Sequence, residues 1–183
     1  MRIISGKFGR RVVHPPKNLP VRPTTDLAKE SLFNILSNMV DFHGKSALDL
    51  FSGTGAISYE FISRGCYPVA SVELNFSCVR FIKESSSKLG MENHHIIRSE
   101  AFRFIKSTKK KYDLIFADPP YALETIADIS KVIFENKLLN DNGILIIEHP
   151  KEVDFSNQEY FFEHRNYSKV NFSFFKYSAA QEL

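Results

Sequence analysis

From Ser46 onward, short apolar runs alternate with stretches whose apolar residues recur at helical spacing. The runs are Ser46–Phe51, Val69–Glu73, His95–Arg98, Leu114–Asp118 and Ile144–Glu148, each of strand length. Between them, Ala56–Arg64, Phe76–Leu89, Ala101–Ser107 and Thr125–Asn136 read as helices. Gly65 and Gly90 sit where glycines end helices, and Asp141-Asn142-Gly143 reads as the turn before the fifth run. Strand–helix alternation predicts a parallel sheet covered by helices on both faces.

The two ends of the chain break this rhythm. Tyr160–His164 and Lys169–Tyr177 are adjacent strand-like runs around Arg165-Asn166-Tyr167-Ser168, which predicts an antiparallel hairpin closing the sheet. At the start, Ile3 and Ile4 are expected to face Val12 and Val13 across Gly6-Lys7-Phe8-Gly9, a small hairpin over residues 1–14. A proline-rich extended segment, His14 to Pro23, follows. Thr24, Thr25 and Asp26 offer capping oxygens to a helix with Ala28, Leu32, Ile35, Leu36 and Met39 on one face. The expected fold is therefore α/β: a seven-stranded, mostly parallel sheet with an antiparallel last strand, preceded by a β-hairpin. We divide it into a basic arm, 1–23, and a main domain, 24–183.

Composition narrows this picture only slightly. With 183 residues, 43% hydrophobic and 25% charged, the chain is too apolar for disorder and holds no apolar run of membrane-spanning length. No secretory signal is evident, and two cysteines cannot build a disulfide scaffold, so a reducing cytoplasm is expected. Charge is more informative. Residues 1–25 carry Arg2, Lys7, Arg10, Arg11, Lys17 and Arg22 with no acid, a local charge of +6 against −3 for the rest. Such asymmetry suits a polyanionic partner, since lysine and arginine gain affinity by releasing counterions from phosphates. Arg2, Lys7, Arg10, Arg11 and Arg22, with Phe8 in the turn, are the candidate RNA contacts.

The candidate chemistry lies at the strand ends. The first strand ends in Asp49-Leu50-Phe51-Ser52-Gly53-Thr54-Gly55, the second in Glu73-Leu74-Asn75, the third in Ser99-Glu100-Ala101 and the fourth in Asp118-Pro119-Pro120-Tyr121. In an open parallel sheet these ends share one edge, where ligands bind. Glycines 53 and 55 let the backbone turn sharply and open a helix whose N–H groups suit an anionic group. Glu73, 18 residues after Gly55, stands where an acid accepts hydrogen bonds from ribose hydroxyls. Ser58 replaces the third glycine of the dinucleotide fingerprint, and Asp49 is an acid suited to an amino-acid ammonium group and unsuited to a pyrophosphate. Together these favour S-adenosylmethionine. The two prolines of Asp118–Tyr121 stiffen a loop in which Asp118 and neighbouring carbonyls can accept hydrogen bonds from a planar amine while Tyr121 stacks on its ring.

Asp49–Gly55 with Asp118–Tyr121 resembles the class I S-adenosylmethionine-dependent amino-methyltransferases, which have a Rossmann-like sheet. Arg2–Arg11, Arg22-Pro23-Thr24-Thr25-Asp26, Glu30 and Ser31–Leu36 narrow the resemblance to the bacterial RsmD family, which methylates N2 of a guanine in small-subunit (16S) ribosomal RNA. The resemblance implies that Asp49, Phe51, Ser52, Gly53, Thr54 and Gly55 hold the methionine part of the cofactor. It further implies that Glu73 binds the ribose, that Leu74 packs on the adenine, and that Glu100 and Ala101 lie near the adenine amine. Asp118 and Pro119 would accept from the guanine amine, Pro120 would shape the turn and Tyr121 would stack on the base. Leu27 and Lys29 stand where the family's first helix commonly carries other basic residues. The implied partner is small-subunit ribosomal RNA or the assembled subunit; from the residues themselves no metal and no membrane are expected, since His94 and His95 have no nearby Cys or His partners, and the chain is expected to be monomeric. An adenine-N6 methyltransferase on DNA or RNA and a non-catalytic RNA-binding assembly factor are the competing readings. Cys66, Cys78, Phe33, Phe61 and Phe81 read as core, and Arg103, Lys106 and Lys110 as a solvated face.

Overall fold

The structure, a computed structural model, describes residues 1–21, 25–167 and 170–177. Seven strands form one sheet: β1 (Ala47–Leu50), β2 (Val69–Glu73), β3 (His94–Arg98), β4 (Tyr112–Ala117), β5 (Leu139–His149), β6 (Phe161–Tyr167) and β7 (Val170–Phe175). Their spatial order is β3-β2-β1-β4-β5-β7-β6. The first five pair in parallel, whereas β7 runs antiparallel to both β5 and β6. The helices are α1 (Asp26–Met39), α2 (Ala56–Ser63), α3 (Phe76–Leu89), α4 (Ala101–Ser107) and α5 (Ile129–Glu135). Among the described residues no helix is long and apolar enough to cross a membrane.

Every residue of β1 and β2 is buried, as expected for strands covered on both faces. The two-residue strand period divides the core into two layers. Leu48, Val72, Ile115 and Ile147 pack with Phe104 of α4 and Ile133 of α5. Ala47, Val69, Phe116 and Ile146 pack with Leu32 and Phe33 of α1 and Phe61 of α2. Both cysteines are buried, as is Phe81.

Three local expectations change. Asp141-Asn142-Gly143 lies inside β5 and does not precede it. Tyr112 pairs with Leu139 and Leu114 with Ile144, so β5 absorbs the extra residues as a bulge and continues. In the last hairpin Arg165, Asn166 and Tyr167, expected in the turn, belong to β6 and pair with Phe172, Asn171 and Val170; Ser168 and Lys169 lie outside the described residues. Thr125–Asn136 splits into a 3-10 turn, Ile126–Asp128, followed by α5.

The N-terminal segment makes one antiparallel bridge, Arg2 with Val12, and Ile4 does not face Val12. Its wide turn is held from outside, by Glu60 of α2. This carboxylate is fully buried and accepts the Ile4 N–H at 2.9 Å, the Ser5 N–H at 3.1 Å and Arg64 Nε at 3.1 Å. Lys29, buried at 1% exposure, bonds the Arg2 carbonyl and lies 4.0 Å from Glu60. Lys29 is therefore a structural clasp and not a basic residue on an RNA-facing surface. Replacing Glu60 with alanine removes the shared acceptor of the Ile4 and Ser5 N–H groups and of Arg64, and leaves the buried Lys29 ammonium with Asp26, 3.7 Å away, as its remaining carboxylate. The expected cost is about 3 kcal/mol or more, read by calorimetry as a fall in Tm of about 10 °C.

Candidate active site

The carboxyl ends of the parallel strands are level. Leu50 pairs with Val72 and Ala117, Val72 with Ile97, and Ala117 with Ile147. Asp49, Glu73 and Asp118 are therefore gathered on one edge, close enough for Asp118 and Glu73 both to raise the pKa of Asp49. The loop after β1 is sharply folded, with φ of +60° at Phe51, +54° at Gly53 and +77° at Gly55. Gly55 is favoured by conformation, and a Cβ there would also be crowded, meeting the Tyr59 ring at 3.1 Å and Ile82 at 3.2 Å.

Asp49 is buried, and burial pushes its carboxyl up to about 7. It accepts the Ser58 N–H at 3.1 Å and the Ser58 hydroxyl at 2.5 Å. An N–H of the first turn of α2 is thus committed to Asp49 and does not open toward a ligand. Behind Ser58 a chain continues through Ser71 at 2.5 Å, His94 Nε2 at 2.5 Å and, from His94 Nδ1, Ser86 at 2.7 Å. Each hydroxyl has one proton, so an ionised Asp49 orders the whole chain. Ser58 donates to Asp49, Ser71 to Ser58, His94 Nε2–H to Ser71, and Ser86 to His94 Nδ1. Burial pushes His94 down to about 3, which keeps it neutral in this role. Nothing in the local sequence marks these residues, which are 13 and 23 positions apart.

Glu73 accepts the Gly53 N–H at 2.8 Å and the Asn75 N–H at 2.7 Å, so it braces the glycine loop and keeps lone pairs for a further donor. Ser52 ties the loop to β2 through its hydroxyl and the Val72 carbonyl, 3.1 Å apart. Leu74 is 60% exposed beside a groove of about 480 Å³ lined by Ile97, Ser99, Glu100 and Arg103. Glu100 accepts the Phe102 and Arg103 N–H groups at 2.9 and 2.8 Å. It is the capping residue of α4, and Ala101 is buried behind it.

Asp118 follows β4 and is only partly exposed; its N–H donates to the Leu50 carbonyl at 3.4 Å. Pro119 is buried, Pro120 exposed and Tyr121 half-exposed at the crevice mouth. A further carboxylate, Glu148, ends the apolar part of β5 beside Asp118. It is 7% exposed, receives a hydrogen bond from Tyr121, and its Oε2 is buried without a partner. Burial pushes both Asp118 and Glu148 well above the ordinary carboxylate range, and repulsion from Asp118 adds to the rise at Glu148. Its signal in the sequence was the one that singled out Glu73, an acid ending an apolar run.

The arm reaches this crevice. Thr54 Oγ1 lies 3.3 Å from Met1 Sδ, and a Cβ on Gly53 would lie 3.8 Å from Val21. Lys7, Arg10 and Arg11 are exposed, while Arg2 pairs with Asp26 at 3.8 Å. Phe8 is not an exposed stacking surface. It is buried with Ile3, Tyr59 and Phe81, and Lys7 and Arg11 lie over its ring at 5.4 and 5.1 Å. Arg22 lies outside the described residues.

The strand order, the reversed seventh strand and a glycine-turned crevice flanked by acids at the strand ends define a methyltransferase of class I architecture. The chain belongs to the family described as Conserved hypothetical protein 95, the RsmD family, which matches residues 1–176. It is 35% identical over 150 residues to the "Ribosomal RNA small subunit methyltransferase D" of Buchnera aphidicola subsp. Baizongia pistaciae, covering 81% of this chain and 75% of that one. The fold is shared with a hypothetical protein of Thermus thermophilus, at a TM-score of 0.84 and 24% identity over 96% of this chain and 99% of that one. It is also shared with SMU.776, solved as a complex with SAH, at a TM-score of 0.65 and 20% identity over 82% and 50% of the two chains.

Proposed function

We propose that this chain methylates the exocyclic N2 of a guanine in small-subunit ribosomal RNA, in the cytoplasm, with S-adenosylmethionine as methyl donor. The observation that carries this reading is the opening of Asp118-Pro119-Pro120-Tyr121 onto the same strand edge as Asp49, Gly53 and Glu73. The name of the Buchnera relative points to the same RNA.

The residues present fit the donor. Asp49 is a recessed carboxylate whose desolvation an ammonium group would relieve. Glu73 retains acceptor capacity for ribose hydroxyls, and Leu74 offers an exposed apolar face to an adenine. When bound, S-adenosylmethionine supplies a methyl carbon on a sulfonium; its transfer forms an N–C bond, breaks an S–C bond and leaves one proton to be removed from nitrogen.

Asp118 and the Pro119 carbonyl accept hydrogen bonds from the base amine, turning its delocalised lone pair toward the donor. Asp118 then takes the released proton. Pro119 and Pro120 hold these acceptors in place, and Tyr121 covers the ring of a base that has left its stack, at a cost of a few kcal/mol. Lys7, Arg10 and Arg11 bind phosphates and set orientation.

Small subunits from cells lacking the enzyme, incubated with radiolabelled S-adenosylmethionine and then digested for nucleoside mass analysis, test the reading. N2-methylguanosine is expected; N6-methyladenosine, or no incorporation, overturns it. The pH profile adds a second check. Asp118 can take the released proton only when ionised and its pKa is raised, so activity should fall as pH drops, with a midpoint far above the usual aspartate value of about 4.

A further inference from the structure

Glu148 has no part in the chemistry described so far, yet its position is unusual. Ala117 pairs with Ile147 in parallel register, so Asp118, just past the end of β4, and Glu148 follow from paired residues and lie close enough for Asp118 to repel the Glu148 carboxylate. Glu148 continues the face that carries Ile144 and Ile146, as Asp118 continues the face that carries Leu114 and Phe116. Two carboxylates thus lie together at the crevice floor. The Tyr121 hydroxyl reaches the Glu148 carboxyl, and Oε2 is buried with no partner. A buried carboxylate oxygen without a donor is costly unless a ligand supplies one.

We propose that Glu148 is a specificity-determining residue that accepts a hydrogen bond from N1–H of the target guanine while Asp118 accepts from its N2 amine. This inference rests on the guanine reading above and adds the residue that enforces it. Among the bases that carry an exocyclic amine, only guanine presents a ring N–H next to it. Adenine and cytosine place a ring lone pair there, which would face the Glu148 carboxylate as acceptor against acceptor. Two adjacent acceptors therefore match two adjacent donors, and a base extruded from its stack is read along this Watson–Crick edge. The match also answers the electrostatic problem of this carboxylate pair. Two neighbouring carboxylates repel each other, and two donated hydrogen bonds stabilise both in the ionised form.

The test compares wild type with Glu148→Gln and Glu148→Ala. The substrate is a small-subunit particle reconstituted on RNA ligated from a synthetic fragment, carrying either guanine or 2-aminopurine at the methylated position. 2-Aminopurine keeps the amine and replaces N1–H with a lone pair. Wild type should prefer guanine by at least about a hundredfold in kcat/KM. Glu148→Gln, which keeps the shape but loses the charge, should lower that preference about tenfold. Glu148→Ala should lower it further, to within a few-fold of the residue-independent remainder due to O6. Calorimetric affinity for S-adenosylhomocysteine reports folding; should the alanine variant fail to bind it, the glutamine variant alone decides. An unchanged guanine preference in a folded variant, with wild type still producing N2-methylguanosine, overturns the role of Glu148 only. A methylated base other than guanine in wild type overturns the guanine reading together with it.

Discussion

Asp118→Ala is expected to lower kcat by about a thousandfold, within the range for removal of a positioned proton acceptor. Affinity for S-adenosylmethionine should stay within a few-fold. The separation follows from the site's electrostatics. Asp118 contributes repulsion to Asp49, so its removal eases the ionisation of the carboxylate proposed to hold the ammonium group. The interactions it makes with the amine matter most as nitrogen sheds its proton, so kcat and kcat/KM should fall together. Asp118→Asn retains one acceptor oxygen without a basic site and should be intermediate. Single-turnover methylation alongside cofactor calorimetry measures both quantities. Methylation by the alanine variant at the wild-type rate would remove Asp118 from the mechanism.

Neutralising Lys7, Arg10 and Arg11 together to glutamine should flatten the salt dependence of RNA binding. The slope of log K against log salt should fall by about 2 to 3, with affinity down by about 10- to 100-fold at low salt. The structure favours this set over one that includes Arg2, whose side chain pairs with Asp26 and whose carbonyl is bonded by Lys29. The backbone bonds from Ile4 and Ser5 to Glu60 are untouched, as are the contacts of Met1 and Val21 with the glycine loop. Cofactor affinity is therefore expected to hold. Filter binding across a salt series, paired with cofactor calorimetry, separates the outcomes. Loss of cofactor binding with an unchanged salt slope would make the arm's charges a support of the crevice instead of an RNA contact.

These two experiments address residues of different legibility. Asp118 was visible because its chemistry is local: two prolines and an aromatic follow an apolar run, and strand alternation places that end on the ligand edge. The same holds for Asp49, Gly55 and Glu73. For Glu100 the position was legible and the engagement was not, since its carboxylate caps the helix that starts one residue later. Phe8 read as a turn residue free to stack because a turn is normally solvated, yet Tyr59 and Phe81 close over it.

Periodicity, turn residues and charge along the chain determined the alternating sheet, the closing hairpin, the strand-end acids and the basic arm. Each depends on neighbours within one element, where spacing alone sets which way a side chain points. Tertiary structure alone decided which polar groups are shared between elements. Glu60 and Lys29 clasp the arm, Ser58, Ser71 and His94 form a chain behind Asp49, and Glu148 comes to rest beside Asp118. Such partners are set by where distant elements cross, because a buried donor or acceptor must find its complement across the packed interface and not along the chain.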